Sequence, residues 1–124
     1  MAIVGIGVDV VELARITQVV EKHPKFGARL FTEKEQMSCF RPEPDMARIA
    51  ARFAVKEAVS KALGTGIGSI GWTDIETTSA ESGAPVVTLY GCAAERAEKM
   101  GVKQIHCSIS HERSVAVAMI ILEG

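Results

Sequence analysis

Glu57 and Lys61 stand four residues apart in the run FAVKEAVSK, and on a helix that spacing stacks them on one side. With a turn of about 100° per residue, Met46, Ala50, Phe53 and Glu57 share one narrow sector and Lys61 lies beside it. A carboxylate on an apolar meridian is expected to be paired or to face a cavity, because an unpaired buried charge is strongly destabilising. On a polar face the same spacing would be a surface ion pair worth only about 0.3 to 0.5 kcal/mol. The apolar company of Glu57 favours chemistry instead. Lys56, about 100° further round the helix, is expected to be solvated.

A second carboxylate, Asp9, follows Gly5 and Gly7 on one face of a predicted strand whose other face carries Val4, Ile6 and Val8. The glycine face is expected to leave room for a ligand. Asp9 also fits the N-cap of the helix that follows, and a carboxylate with two oxygens can cap a helix and bind a cation together. The glycines of GTGIG, residues 64–68, follow a helix, whereas phosphate-cradling loops of the P-loop and Rossmann type run from strand into helix. The helix end there repels anions, so a phosphate would need Lys61 or backbone N–H groups to hold it, and a flexible C-cap is the simpler expectation. In HCSISH, alternation puts His106, Ser108 and Ser110 on one face and Ile105, Cys107 and Ile109 towards the core, with His111 opening a turn. No G-x-S-x-G elbow surrounds either serine, which gives a serine hydrolase no support.

The elements that must position these residues can be read from pattern. Residues 2–8 are a short β-branched run, hence a buried strand that Asp9 closes. DVVE, residues 9–12, fits a capping box for a helix to about Lys22, where Pro24 stops it. TEKE, residues 32–35, fits another capping box, opening a short helix that ends near residues 41–44. Asp45 is the expected N-cap of a long helix to Leu63. WTDIETTS and PVVTLY predict one hairpin, residues 91–101 a short helix, and IHCSIS with SVAVAMIIL a second hairpin around His111, Glu112 and Arg113. Helices and strands come in runs without regular alternation. The fold class is therefore α+β, an antiparallel sheet of hairpins packed on a long central helix.

The 124 residues suffice for one domain, spanning 1–124, with a core that needs no disulfide or structural metal. A formal net charge of -1 speaks against a nucleic-acid partner. Cys39, Cys92 and Cys107 are odd in number and far apart, so they are expected to be reduced core residues. The apolar start is broken by Asp9 and the closing VAVAMIIL is short, so neither a membrane span nor a secretion signal is expected, and a cytoplasmic location follows.

Three segments in order, GIGVDVVEL (5–13), RFAVKEAVSKALGTGIG (52–68) and SISH (108–111), resemble the short-type 4'-phosphopantetheinyl transferases of the holo-[acyl-carrier-protein] synthase family. The similarity extends over essentially the whole chain, including the closing hairpin and the SGAP turn, with no departure at the motif positions. It implies transfer of 4'-phosphopantetheine from coenzyme A to a serine of an acyl carrier protein, releasing adenosine 3',5'-bisphosphate in support of fatty acid synthesis. It further implies Mg2+ dependence and a homotrimer with active sites between neighbouring subunits. By the same resemblance Asp9 and Glu57 share the Mg2+ and Lys61 completes the catalytic set. Arg52, Lys61, His111 and the turn of Gly64, Thr65 and Gly66 bind coenzyme A, and Arg15 meets the carrier protein.

The residue types suit that chemistry. Mg2+ takes few carboxylates and completes its shell with water and phosphate oxygens. Lys61 can offset charge developing on the phosphate. The base stays open between Asp9, Glu57 and a water held by the two, the last being favoured. Arg15, Lys22, Lys25 and Arg29 concentrate positive charge in one short region of a nearly neutral chain, which suits steering of an acidic partner. Two other readings use the same residues. A Mg2+-dependent nucleotide hydrolase would form product without carrier protein, and a coenzyme-A-binding module with Glu57 and Lys61 as a mere buried pair would bind without regard to metal.

Overall fold

The computed structural model describes residues 1–124. β1 (Ile3–Glu12) runs straight into α1 (Leu13–Lys22), and α2 (Phe26–Leu30), α3 (Glu33–Cys39) and the long α4 (Met46–Ala62) follow. A 3-10 turn at Trp72–Asp74 leads into β2 (Ile75–Ser79) and β3 (Pro85–Leu89), then come α5 (Gly91–Met100), β4 (Gln104–His111) and β5 (Val115–Glu123). The strands make an antiparallel sheet ordered β1-β5-β4 and a separate β2-β3 hairpin. This is the α+β arrangement predicted, with both hairpins in place.

α4 crosses the inner face of the three-stranded sheet. Its alanines at 54 and 58 and those of β5 at 116 and 118 are fully buried, and such small side chains let helix and strand approach closely. The approach is closest at β1. A Cβ on Gly7 would overlap the Ala58 carbonyl oxygen, and one on Gly5 the Ala62 carbonyl oxygen. The expectation that this glycine face leaves room for a ligand is therefore wrong: the backbone of α4 fills it.

β1 also continues through Asp9 to Glu12, pairing Asp9 with Ala118 and Glu12 with Val115 of β5. No capping box forms at residues 9–12, since Glu12 is the N-cap of α1 and makes no side-chain cap bond. Ladder pairing to a full-length β5 outweighs the local signal. The box at Thr32 and Glu35 does form, both bonds present, and Asp45 caps α4 by accepting from Arg48 N at 3.1 Å. α5 ends as expected on a left-handed Gly101, at φ 78°. α3 stops at Cys39, earlier than predicted, and the five-residue α2 had no sequence signal strong enough to predict it.

Lys56 is the largest departure. Its side chain is fully buried, donating to Glu35 Oε1 at 2.7 Å, to the Trp72 carbonyl oxygen at 3.0 Å and to the Ile75 carbonyl oxygen. The second Glu35 oxygen accepts from Thr77 N at 2.9 Å. α4 has packing on two sides, the main sheet on one and α3 with β2 on the other, so the direction that helical geometry alone leaves to solvent is occupied. Burial pushes the Lys56 ammonium's pKa down while the Glu35 carboxylate pulls it up.

The same two-sided packing reverses the character of the Phe53–Glu57–Lys61 line. Ala50 is fully buried, but Phe53 and Glu57 are half-buried and Lys61 is exposed, so this is the most open side of α4. Phe53 stacks on Trp72 with ring centroids 5.1 Å apart. Of the cysteines, all free, Cys39 is buried and Cys107 half-buried, but Cys92 is exposed at the start of α5 and is not a core residue.

Candidate active site

The β1–α4 contact brings the two carboxylates of the sequence together at its open end. Asp9 lies beyond Gly7 on the inward face of β1, and Glu57 precedes Ala58, the residue against which Gly7 packs. Desolvation holds the Glu57 carboxyl above its ordinary pKa, and the nearby charge of Asp9 raises it further, while Lys61 and Arg15 pull the other way. The charges of Asp9, Lys61 and Arg15 are thus near enough to act on Glu57. Lys61 pairs with Asp9 across 3.0 Å and with the Val8 carbonyl oxygen at 3.0 Å, rather than with Glu57 as spacing alone suggests.

Two partly buried carboxylates whose charges act on one another would suit a hard cation. Nowhere in the chain do three or more His, Cys, Asp or Glu side chains gather into a metal-holding group. A cation at Asp9 and Glu57 would have to take most of its oxygens from water and phosphate, a requirement that fits Mg2+ rather than Zn2+ or a caged Ca2+.

The turn that follows α4 is wired to the helix. Thr65 N and Gly66 N both donate to the Ser60 carbonyl oxygen at 3.2 Å, and Gly64 N donates to Lys61 O at 3.0 Å. Gly64 and Gly66 have φ of 74° and 69°, backbone that other residues seldom adopt. The turn is thus a fixed extension of the helix bearing Glu57 and Lys61. The Thr65 hydroxyl is buried there without a hydrogen-bond partner.

Arg52 and His111 meet in a different cavity, of about 210 Å3, lined also by Arg48, Thr77, Ser79 and Ile109. Asp9, Glu57 and Lys61 do not line it. Arg52 Nε and Thr77 Oγ1 are buried here with no partner, a costly arrangement unless an anion or water meets them. Arg48 and Thr77 are residues that sequence reasoning missed. The cavity is made by α4, the β2-β3 hairpin and β4 together, and no local pattern in IETTS or in ARIAARF reports that convergence. His111 is the last residue of β4, paired with Ala116, and is exposed. Arg15 is exposed on α1 near Glu57, and the basic residues after it border a groove of about 380 Å3 formed by Val19, Phe26 and Leu30 with His23, Lys25 and Arg29.

An α+β fold with two carboxylates near a strand–helix junction, a lysine one turn on, and an arginine–histidine cavity offers the charges that a phosphate-handling enzyme needs. Residues 5–119 match the model of the 4'-phosphopantetheinyl transferase superfamily. The sequence is 48% identical to a holo-[acyl-carrier-protein] synthase of Natranaerobius thermophilus, covering 97% of each chain. The structure resembles that of the Neisseria meningitidis holo-[acyl-carrier-protein] synthase with a TM-score of 0.90 at 30% identity, over 99% of this chain and 100% of that one. It also resembles the Helicobacter pylori holo-[acyl-carrier-protein] synthase in complex with coenzyme A, with a TM-score of 0.82 at 33% identity, over 95% and 99% of the two chains. The chain belongs to the 4'-phosphopantetheinyl transferase superfamily, within its holo-[acyl-carrier-protein] synthases, and is an enzyme of the transferase class.

Proposed function

We propose that this enzyme transfers 4'-phosphopantetheine from coenzyme A to a serine of an apo acyl carrier protein in a Mg2+-dependent reaction, serving fatty acid synthesis in the cytoplasm. The serine Oγ forms a bond to the phosphorus attached to pantetheine. The bond from that phosphorus to the bridging diphosphate oxygen breaks, and its electron pair leaves with adenosine 3',5'-bisphosphate. Asp9 and Glu57 would hold Mg2+, and the ion would supply positive charge to the diphosphate. Lys61 neutralises charge on the leaving phosphate, and the serine proton passes to a water held by the two carboxylates. The observation that carries this reading is the meeting of Asp9, Glu57 and Lys61 at the β1–α4 junction, with Lys61 3.0 Å from Asp9 and the Asp9 charge felt at Glu57.

Arg52 and His111 receive phosphate of coenzyme A in their cavity, and the turn of Gly64, Thr65 and Gly66 borders the nucleotide. The unpartnered Arg52 Nε supports this assignment. Since that cavity is not continuous with the Asp9 site, we assign the complete active site to neighbouring copies in a homotrimer. The outer face of the main sheet supports such an assembly: Ile6 is 66% exposed and Val10 59%, with Val4, Val8 and Met119 beside them, an apolar surface that needs cover in water. The groove of Val19, Phe26 and Leu30, rimmed by Lys25 and Arg29 and approached past Arg15, suits an acidic carrier helix with apolar residues on one side. No helix is long and apolar enough to cross a membrane.

Mass spectrometry of apo carrier protein incubated with this chain, coenzyme A and Mg2+ tests the proposal. A phosphopantetheine-sized gain on the carrier serine is expected. Adenosine 3',5'-bisphosphate released at the same rate without carrier would identify a hydrolase instead.

A further inference from the structure

Lys61, the residue assigned above to the diphosphate, lies in the last turn of α4, and a helix end of that sense carries a partial negative charge. Most of its last carbonyls are satisfied locally: Val59 O by Leu63 N at 2.9 Å, Ser60 O by the N–H groups of Thr65 and Gly66, and Lys61 O by Gly64 N. The carbonyl of the C-cap residue Leu63 is different. It accepts from Arg96 Nε at 3.0 Å, a side chain that comes from α5, 33 residues later.

Only one edge of the guanidinium is used by this bond. One Nη lies 3.7 Å from the position of a Cβ on Gly64, so the fork extends along the glycine turn. Arg96 makes no salt bridge, although Glu95 and Glu98 flank it in sequence. Its charge is therefore not spent on a carboxylate. A cation bonded to the last carbonyl of a helix opposes the negative end of the dipole at the shortest possible range, and arginine can do so with Nε while its terminal nitrogens stay free.

We propose that Arg96 is a positioning residue for coenzyme A: by bonding the Leu63 carbonyl it holds the turn of Gly64, Thr65 and Gly66 and reverses the field at the end of α4, so that the diphosphate can lie beside Lys61. This rests on the transferase reading given above. Lys61 already answers the Asp9 carboxylate and the Val8 carbonyl, and without Arg96 it would have to offset the helix end as well. Arg96 removes this last demand.

The experiment uses the full chain and compares Arg96→Ala, Arg96→Lys and, as a control on the same helix, Lys99→Ala. Coenzyme A affinity is read by calorimetry with Mg2+, alongside steady-state kinetics with carrier protein and thermal melting. Arg96→Ala should weaken coenzyme A binding by about threefold to fivefold, raise its KM to match and leave the carrier KM unchanged. Arg96→Lys should recover part of the loss, because it returns the charge without the fork, and Lys99→Ala should bind as the wild type does. Wild-type affinity in Arg96→Ala would overturn the proposal. So would a loss in Arg96→Ala that falls equally on the carrier KM and tracks a lowered melting temperature, or an equal loss in Lys99→Ala. A lysine variant that regains stability but stays at the alanine variant's affinity would overturn the charge role. A wild-type chain that binds no coenzyme A would overturn the transferase reading itself and this role with it.

Discussion

Lys61 of α4 and Asp9 of β1 are 52 residues apart in sequence and joined by a 3.0 Å hydrogen bond, with the lysine also donating to Val8 O. The lysine is largely exposed, so the pair adds at most about 1 kcal/mol to stability. In the proposed reaction its value is in placing a cation where phosphate charge develops. Lys61→Ala should melt within a degree or two of wild type, as expected for about 0.5 kcal/mol or less. It should retain Mg2+ binding yet lose about a hundredfold in turnover, with weaker coenzyme A binding. Unchanged kinetics would reduce Lys61 to a surface partner of Asp9.

The other lysine of the same helix should behave in the opposite way. Lys56 sits fully buried against Glu35 and two carbonyl oxygens, and removing it leaves those acceptors without a donor. Lys56→Ala should destabilise the fold by about 3 to 5 kcal/mol. Urea unfolding of the two lysine variants side by side checks this, and equal midpoints would refute the contrast.

If Asp9 and Glu57 hold the proposed Mg2+, Asp9→Asn and Glu57→Gln should each remove most activity from a folded protein, since each deletes a ligand charge rather than a core contact. Near-normal turnover by either variant at low Mg2+ would remove the metal assignment. Circular dichroism guards against the trivial explanation of unfolding.

Arg15→Glu should raise the carrier KM tenfold or more, about 1.4 kcal/mol, by losing attraction and adding repulsion, and leave coenzyme A affinity almost unmoved. Added salt should weaken carrier binding by wild type more than by the variant. A carrier KM and salt dependence equal to wild type would move the docking surface elsewhere.

Thiol chemistry offers a test of burial. Cys107 is half-buried, and desolvation pushes its thiol up to about 11 from an ordinary 9.0. A raised acid favours the folded state while it keeps its proton, so this contribution is present below pH about 9 and fades as the pH rises through about 11. At pH about 8 a thiol reagent should therefore modify Cys92 fast and the other two slowly, since the thiolate is the reactive form. Three equally fast thiols would contradict the packing of β4 on α4.

The strands, the capping box at Thr32 and the long helix from Asp45 were legible because each is a local pattern, and local patterns survive when tertiary packing agrees with them. The local pattern makes Asp9 a strand end only because DVVE is also a good helix start; the partner strand, Val115–Glu123, carries the ladder further. Lys56 departs from expectation for a related reason. Helical phase says which way a side chain points, but not that α3 and β2 wait there with Glu35. Glu57 stands out in the sequence as a charge among apolar residues, but the side of α4 that carries it is the open one, because the helix is packed on its other two sides. Arg48, Thr77 and Arg96 carry no motif of their own and enter through contacts between distant elements.

The absence of two side chains, at Gly5 and Gly7, sets a dimension. Because strand and helix touch backbone to backbone there, the spacing between the main-chain positions of Asp9 and Glu57 is gauged by atoms that have no rotamers. A gauge of that kind does not drift when the surrounding core is repacked, and it tolerates no shim: Gly7→Ala would wedge β1 from α4 and widen the span between the carboxylates. Calibration of the site and cohesion of the fold thus depend on the same few ångströms of main chain.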